Sequence, residues 1–306
     1  MKVSIIVPAY NEEENILPMA ESLTEMIDRE GLDAEVVLVD DGSTDGTWAR
    51  ALEMEEKYDR CRAIRLRMNK GKTQALLEGF EAAGGDIFLI YDADMQFHPD
   101  DIPLMVREIE DGADVVTGWK QGRYNKRLVS WIYNFLARRL FHLDIHDLNS
   151  MKAFRREVID GMVIRKDWHR YMVALAADQG CQIREIRVRL RDRMYGETKY
   201  GFWRIPVGFL DLIAVKFQLS FMLKPLLFFG TAGLVLFGLG FLVGSYALYI
   251  RFILHHGYRP LAYLVTLLIV SGLILFAVGF LAEVMADIKG RLERVERQVR
   301  KGGGER

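Results

Sequence analysis

The chain has 306 residues, 50% hydrophobic and 27% charged, with a formal net charge of −1. A balance so close to zero carries no field for polyanions, which argues against a nucleic-acid partner. Cys61 and Cys181 stand far apart without metal-ligand spacing. That argues against a disulfide framework or a zinc site and fits a reducing cytosolic setting.

The average hides a division, because the first part is mixed and charge-rich whereas Pro225–Ala282 is almost free of charge. The opening run Met1–Pro8 is too short for a signal peptide and lacks a small-residue cleavage site, so it reads as a first core strand. Val3–Val7, Glu35–Asp40, Ala63–Leu66 and Ile87–Tyr91 are Val-, Ile- and Leu-rich runs mostly without strict alternation, the pattern of parallel strands buried on both faces. Between them Glu12–Glu30, Asp45–Tyr58 and Lys72–Ala83 read as helices. The alternation predicts right-handed βαβ crossovers, with ligands beyond the carboxyl ends of the strands.

Further on, a helix is expected from Pro99 to Glu110, a strand over Asp114–Thr117, a helix over Lys126–Leu140 and a strand over Ser150–Phe154. Trp168–Gln179 reads as a helix. Ile186, Val188 and Leu190 alternate with Arg187, Arg189 and Arg191, a strand with one apolar and one basic face. The basic face reads as solvated or resting on anionic lipid.

Phe202–Leu223 is apolar with scattered charges and reads as helices lying at a bilayer interface, with a helix packed on the soluble core as the alternative. Pro225–Ile250 and Leu261–Ala282 each exceed the ~20 apolar residues that cross hydrocarbon. The short Arg251–Pro260 link makes them a hairpin. Lys289, Arg291, Arg294, Arg297, Arg300 and Lys301 outnumber the Arg251 and Arg259 of the link, which places both termini and the catalytic domain in the cytosol. Ile288, Leu292, Val295 and Val299 give the tail helical spacing, suited to packing or to anionic headgroups. Gly230, Gly233, Gly240 and Gly244 suit close packing against neighbouring chains, a route to a homo-oligomer. The expected organisation is therefore 1–200 catalytic, 201–223 interfacial, 224–283 two spans (225–250 and 261–282) and 284–306 basic tail.

Three polar clusters follow the buried strands. Alternation puts Asp92, Asp94 and Gln96 on one side, three oxygen donors suited to Mg²⁺ or Mn²⁺ completed by diphosphate oxygens and water. In Asp40–Thr47, Gly42 permits a tight turn and Ser43, Thr44 or Asp45 can cap the next helix. Capping does not account for adjacent acids, so Asp40 or Asp41 is read as accepting hydrogen bonds from a nucleobase or ribose. In Pro8–Glu12, Tyr10 either stacks beside a base or simply packs, and Glu12 can bond ribose or base.

Taken together in this order, Pro8–Glu12, Asp40–Thr47 and Asp92–Gln96 resemble the family 2 glycosyltransferases of GT-A fold. Phe97-His98-Pro99, Asp147-Leu148-Asn149-Ser150 with Arg155, and Gly196-Glu197-Thr198-Lys199-Tyr200 narrow the likeness to the dolichol-phosphate mannose synthase and polyprenyl-phosphate glycosyltransferase branch. The resemblance implies an α/β, Rossmann-like, mainly parallel sheet with helices on both faces. It also implies a UDP- or GDP-linked sugar donor bound through Pro8, Tyr10, Glu12, Asp40 and Asp41, and a metal on Asp92, Asp94 and Gln96, with Asp94 and Asp92 as the catalytic pair. The resemblance further implies transfer with inversion at the anomeric carbon, making a polyprenyl-phosphate sugar.

The chain has Asn149-Ser150-Met151 where the family often has a Ser-Gly pair, which leaves the role of Asp147 open. It lacks a Gln-x-x-Arg-Trp motif, with Trp168-His169-Arg170 a poor substitute, and this argues against a processive polysaccharide synthase. A lipid phosphate is already anionic and needs positioning more than a general base. Arg123, Arg127, Arg193 and Lys199 are the expected cradle. The rival readings are another membrane acceptor such as diacylglycerol, and a silent scaffold that senses nucleotide sugars.

Overall fold

The computed structural model describes residues 1–121, 138–141, 143, 145–191, 214–217, 224–255, 257 and 259–302. They form two compact units, Met1–Leu210 and Asp211–Arg306.

The first unit is built on a seven-stranded sheet of β1 (Val3–Ala9), β2 (Ala34–Asp40), β3 (Cys61–Arg65), β4 (Ile87–Ile90), β5 (Val115–Gln121), β6 (Lys152–Arg155) and β7 (Ile183–Arg189). Their order is β3-β2-β1-β4-β6-β5-β7. All pairings are parallel except those of β6, which runs antiparallel between β4 and β5. The expected fold class holds. The polarity of β6 was not readable, because a short strand shows no direction in its sequence.

The helices are α1 (Ile16–Glu30), α2 (Thr47–Lys57), α3 (Lys72–Ala82), α4 (Ile102–Glu110), α5 (Arg156–Asp160) and α6 (Met172–Asp178). Alternation along β1 sends Val3, Ile5 and Val7 into one core with Ile16, Met19 and Leu23 of α1 and Ile102 and Met105 of α4. Each such buried side chain contributes roughly 1.5–3 kcal/mol. Ile6 points the other way, where α3 comes so close that a Cβ on Gly79 would stand 2.4 Å from Ile6 Cγ2. Only glycine lets that helix sit flat on the sheet.

Two expectations shift. Helix α1 begins at Ile16 rather than Glu12, because Asn11 adopts φ 54° and Glu12–Asn15 forms a turn closed by Asn15 N–H to Glu12 O at 2.9 Å. β5 runs on to Gln121, since β7 pairs with it along its whole length. The basic face of β7 is also partly engaged within the protein: Arg189 Nη2 lies 3.5 Å from Asp101 Oδ1, and the Arg187 guanidinium sits 5.3 Å from the Trp119 ring centroid. The expected helix Lys126–Leu140 and the interfacial segment Phe202–Leu223 lie largely outside the described residues. Within them, 138–140 and 214–217 are helical.

The second unit contains α7 (Pro225–Phe252) and α8 (Arg259–Gly302). Both are long and apolar enough to cross a membrane, and only 17% and 11% of their most apolar windows are buried, where a core helix would be mostly covered. The two pack on each other through glycines: a Cβ on Gly233 would stand 2.6 Å from Gly272 O, and one on Gly272 2.7 Å from Gly233 O. Gly230, Gly233 and Gly240, read as surfaces for neighbouring chains, therefore face α8 of the same chain. Glu283 Oε2 accepts the Leu226 N–H at 3.1 Å, satisfying one of the orphan donors at the start of α7. Among the described residues, the tail up to Gly302 continues α8.

Candidate active site

The parallel register sets Ala9 of β1 beside Asp40 of β2, and the loops leaving these strand ends are knit together. Asp41 N–H donates to Ala9 O at 2.8 Å and Asn11 N–H to Ser43 Oγ at 2.9 Å. Asn11 Oδ1 accepts from Thr44 N–H at 2.9 Å, and Thr47 Oγ1 from Glu12 N–H at 2.8 Å. Gly42 turns the second loop at φ 68°, where a Cβ would stand 2.6 Å from the Met68 carbonyl carbon, so glycine is required twice over. Pro8, Tyr10 and Glu12 lie half-buried along this rim.

The two acids at the end of β2 differ. Asp41 is spent on the backbone, its Oδ1 accepting from Lys70 N–H at 2.7 Å and its Oδ2 from Gly71 N–H at 2.8 Å. Asp40 accepts Ser43 N–H at 2.9 Å through Oδ1, but its buried Oδ2 has no hydrogen-bond donor. Arg65, directly opposite in the β2–β3 ladder, brings its Nε to 3.3 Å from that oxygen, an ion pair without hydrogen-bond geometry. An open groove is lined by Gly42, Ser43, Thr44 and Arg65, while Asp40 itself is fully buried.

The Asp92–Gln96 segment is a turn rather than a strand end. β4 stops at Ile90, Met95 takes φ 53°, and Gln96 N–H donates to Asp94 Oδ1 at 3.3 Å. Burial still alternates as the sequence predicts: Ala93, Met95 and Phe97 are buried, while Asp92, Asp94 and Gln96 are partly exposed. Arg191 N–H donates to Gln96 O at 2.8 Å and Tyr91 OH to Phe97 O at 2.6 Å, which pins the turn.

The donor set fits a hard divalent cation that keeps part of its shell for other oxygens. Among the described residues no cluster of three His, Cys, Asp or Glu side chains could enclose an ion without help. Two carboxylates and an amide oxygen are the donor types that such a cation would take.

Sequence reasoning missed the basic groups around this turn. Lys72, at the start of α3, donates to Asp92 Oδ1. Burial alone would push the Asp92 carboxyl up, yet the charge and hydrogen bond of Lys72 hold it below the usual carboxylate range. Lys120 Nζ lies 3.3 Å from Asp147 Oδ2, and Asp147 Oδ1 accepts Asn149 N–H at 2.9 Å, so Asp147 shapes the loop before β6. Lys152 on β6 is 5% exposed, and burial, reinforced by Lys72 and Lys120, pushes its ammonium down to about 7. His169 Nδ1 and Thr73 Oγ1 are 2.9 Å apart. Burial, with Lys72 and Arg170 adding to it, pushes the imidazole down to about 2, so it is neutral.

The one available signal was a lysine inside the apolar run Met151–Phe154. Arg123, Arg127, Arg193 and Lys199 lie outside the described residues.

A mainly parallel sheet with acidic loops gathered at its carboxyl edge has the layout expected of a GT-A glycosyltransferase. The model of glycosyl transferase family 2 matches residues 4–162, and the chain belongs to that family. It is 32% identical over 297 residues to the dodecaprenyl-phosphate galacturonate synthase of Rhizobium johnstonii, covering 94% of this chain and 88% of that protein. It is 31% identical over 313 residues to the undecaprenyl-phosphate 4-deoxy-4-formamido-L-arabinose transferase of Pseudomonas paraeruginosa, covering 96% and 90%. Among solved structures, glucosyl-3-phosphoglycerate synthase from Mycobacterium tuberculosis in complex with Mg²⁺ and uridine diphosphate superposes with a TM-score of 0.57 at 21% identity, over 71% of this chain and 79% of that one. That likeness concerns the fold.

Proposed function

We propose that this chain transfers a sugar from a nucleoside diphosphate to polyprenyl phosphate. The observation that carries the reading is full-length similarity, hairpin included, to two relatives whose names both specify a polyprenyl-phosphate acceptor. A phosphate oxygen of the lipid attacks the anomeric carbon, the carbon–oxygen bond to the diphosphate breaks, and the configuration inverts. No proton has to be removed from an ionised phosphate, so positioning and charge supply most of the acceleration.

Asp94 and Gln96, with Asp92, hold Mg²⁺ or Mn²⁺, which when bound offsets charge on the departing diphosphate. Lys72 keeps Asp92 ionised and oriented. Asp40, whose Oδ2 is paired with Arg65 of the groove, is assigned as the acid that meets the base or ribose, Asp41 being held by backbone amides, with Tyr10, Pro8 and Glu12 along the rim. Asp41 sets the loop that carries Lys72. Arg123, Arg127, Arg193 and Lys199 are assigned to the lipid phosphate by their residue type and place in the chain.

The two spans are the proposed anchor, and the basic excess after Glu283 supports a cytosolic side for the catalytic domain and both termini. The test is transfer of a labelled sugar from a panel of uridine- and guanosine-linked donors to polyprenyl phosphate in detergent. Chelator-sensitive formation of a lipid-phosphate sugar is expected. Nucleotide binding without transfer to that lipid would redirect the acceptor.

A further inference from the structure

Beside the Asp92 turn lies a small cleft whose lining includes Lys72, Asp92, Asn149, Ser150, Lys152 and His169. Its charges do not balance. Lys72 is paired with Asp92, and Lys120 with Asp147 at 3.3 Å. His169 is neutral. Lys152 is left over: its ammonium makes one hydrogen bond, to Ser150 O at 3.0 Å, and no ion pair among the described residues. An ammonium has three donors, so two are uncommitted. Beside it, Ser150 is 7% exposed and its buried Oγ has no hydrogen-bond partner.

Nothing in the fold calls for this arrangement. Lys152 sits in β6 opposite Ile90 of β4 and Thr117 of β5, a ladder position that an apolar side chain would fill at lower cost. A buried, unpaired cation destabilises unless something brings it an opposite charge. The strand pairing also fixes what that something can be, because Lys152 lies alongside the end of β4, where the Asp92–Gln96 turn begins.

The geometry points to a carboxylate on the transferred sugar as the missing partner, so that the preferred donor is a nucleotide-linked uronic acid. This rests on the donor site proposed above. One surplus positive charge matches one monoanionic group. The two uncommitted ammonium donors face two carboxylate oxygens, and Ser150 Oγ can donate as well. The carboxylate is bound and is not changed by the reaction. A phosphate dianion, whether of the lipid or free, would bring twice the charge that the cleft balances.

The experiment uses the full-length enzyme in detergent, with UDP-galacturonate and UDP-glucuronate set against UDP-galactose and UDP-glucose. The expected result is a kcat/KM at least 100-fold higher for a uronate donor, lost by at least 100-fold in Lys152→Met and Lys152→Gln. The preference for uronate over neutral donors should disappear in both variants, and unchanged UDP binding shows that they fold.

Equal use of neutral and uronate donors would overturn the proposal. So would a variant that raises KM for polyprenyl phosphate and leaves KM for the donor alone, since Lys152 would then serve a phosphate. If no donor is transferred to polyprenyl phosphate, the acceptor reading fails by itself. Competition of the four nucleotide sugars against bound UDP then decides the sugar: tighter uronate binding that disappears in Lys152→Met upholds the inference, and equal binding overturns it.

Discussion

Asp41 holds Gly71: its Oδ2 accepts the Gly71 N–H at 2.8 Å while its Oδ1 takes Lys70 N–H at 2.7 Å. The next residue is Lys72, which reaches Asp92. A carboxylate at the end of β2 thus sets the position of a cation at the end of β4, although their chain segments are well separated.

Replacing Asp41 by Ala leaves two amides without their acceptor and frees the loop, at a cost of about 1–3 kcal/mol. The expected outcome is a lower Tm together with at least a 10-fold fall in kcat, read by thermal melts and initial rates. Asp40→Asn should behave differently. It keeps the packing and weakens nucleotide binding about 10-fold (~1.4 kcal/mol), measured by titration with the nucleoside diphosphate.

Lys152 also gives a stability prediction with a definite sign. Its pKa lies near 7 in the folded protein, against 10.5 for an ordinary lysine. Between these values the unfolded chain binds the extra proton, so folding stability rises with pH across that window. Below pH 7 both states are protonated and the full burial cost is present. Lys152→Met should therefore raise the Tm of the ligand-free enzyme at pH 6–7 by several degrees. The gap should narrow as the pH is taken from 7 towards 10. An equal gap at every pH would mean that Lys152 titrates normally.

The hairpin offers a contrast between two glycines on one helix. A Cβ at Gly233 meets backbone of α8, whereas one at Gly238 meets nothing within 4 Å. Gly233→Leu should split the helix pair and lower the detergent-solubilised Tm, with an overpacking cost of about 1–3 kcal/mol. Gly238→Leu should be silent. Thermal melts of the two variants side by side check this.

Much of the fold could be read from residue patterns. β1, β2 and β4 are continuous apolar runs, and the structure starts and stops them within a few residues of the expectation. The failures have physical causes. Glu12 sits where helix spacing would continue, but its N–H is claimed by Thr47 Oγ1, a contact between distant chain segments, and α1 starts later. The acidic half of the candidate site was conspicuous because carboxylates in a row follow a buried strand. The basic half was not: Lys72 looks like any helix-starting lysine, and His169 comes to Thr73 only through the folded chain. That Asp41, and not Asp40, takes the Lys70 and Gly71 amides likewise depended on contacts made only in the folded chain.

The most direct measurement is the metal-dependent transfer of sugar to polyprenyl phosphate by wild-type enzyme and by Asp94→Ala, in matched detergent preparations. The account predicts a lipid-phosphate sugar from the wild type with Mg²⁺ or Mn²⁺, none with chelator, and a loss of at least 100-fold in kcat in the variant while nucleoside diphosphate binding in chelator is retained. Undiminished transfer by Asp94→Ala would contradict it.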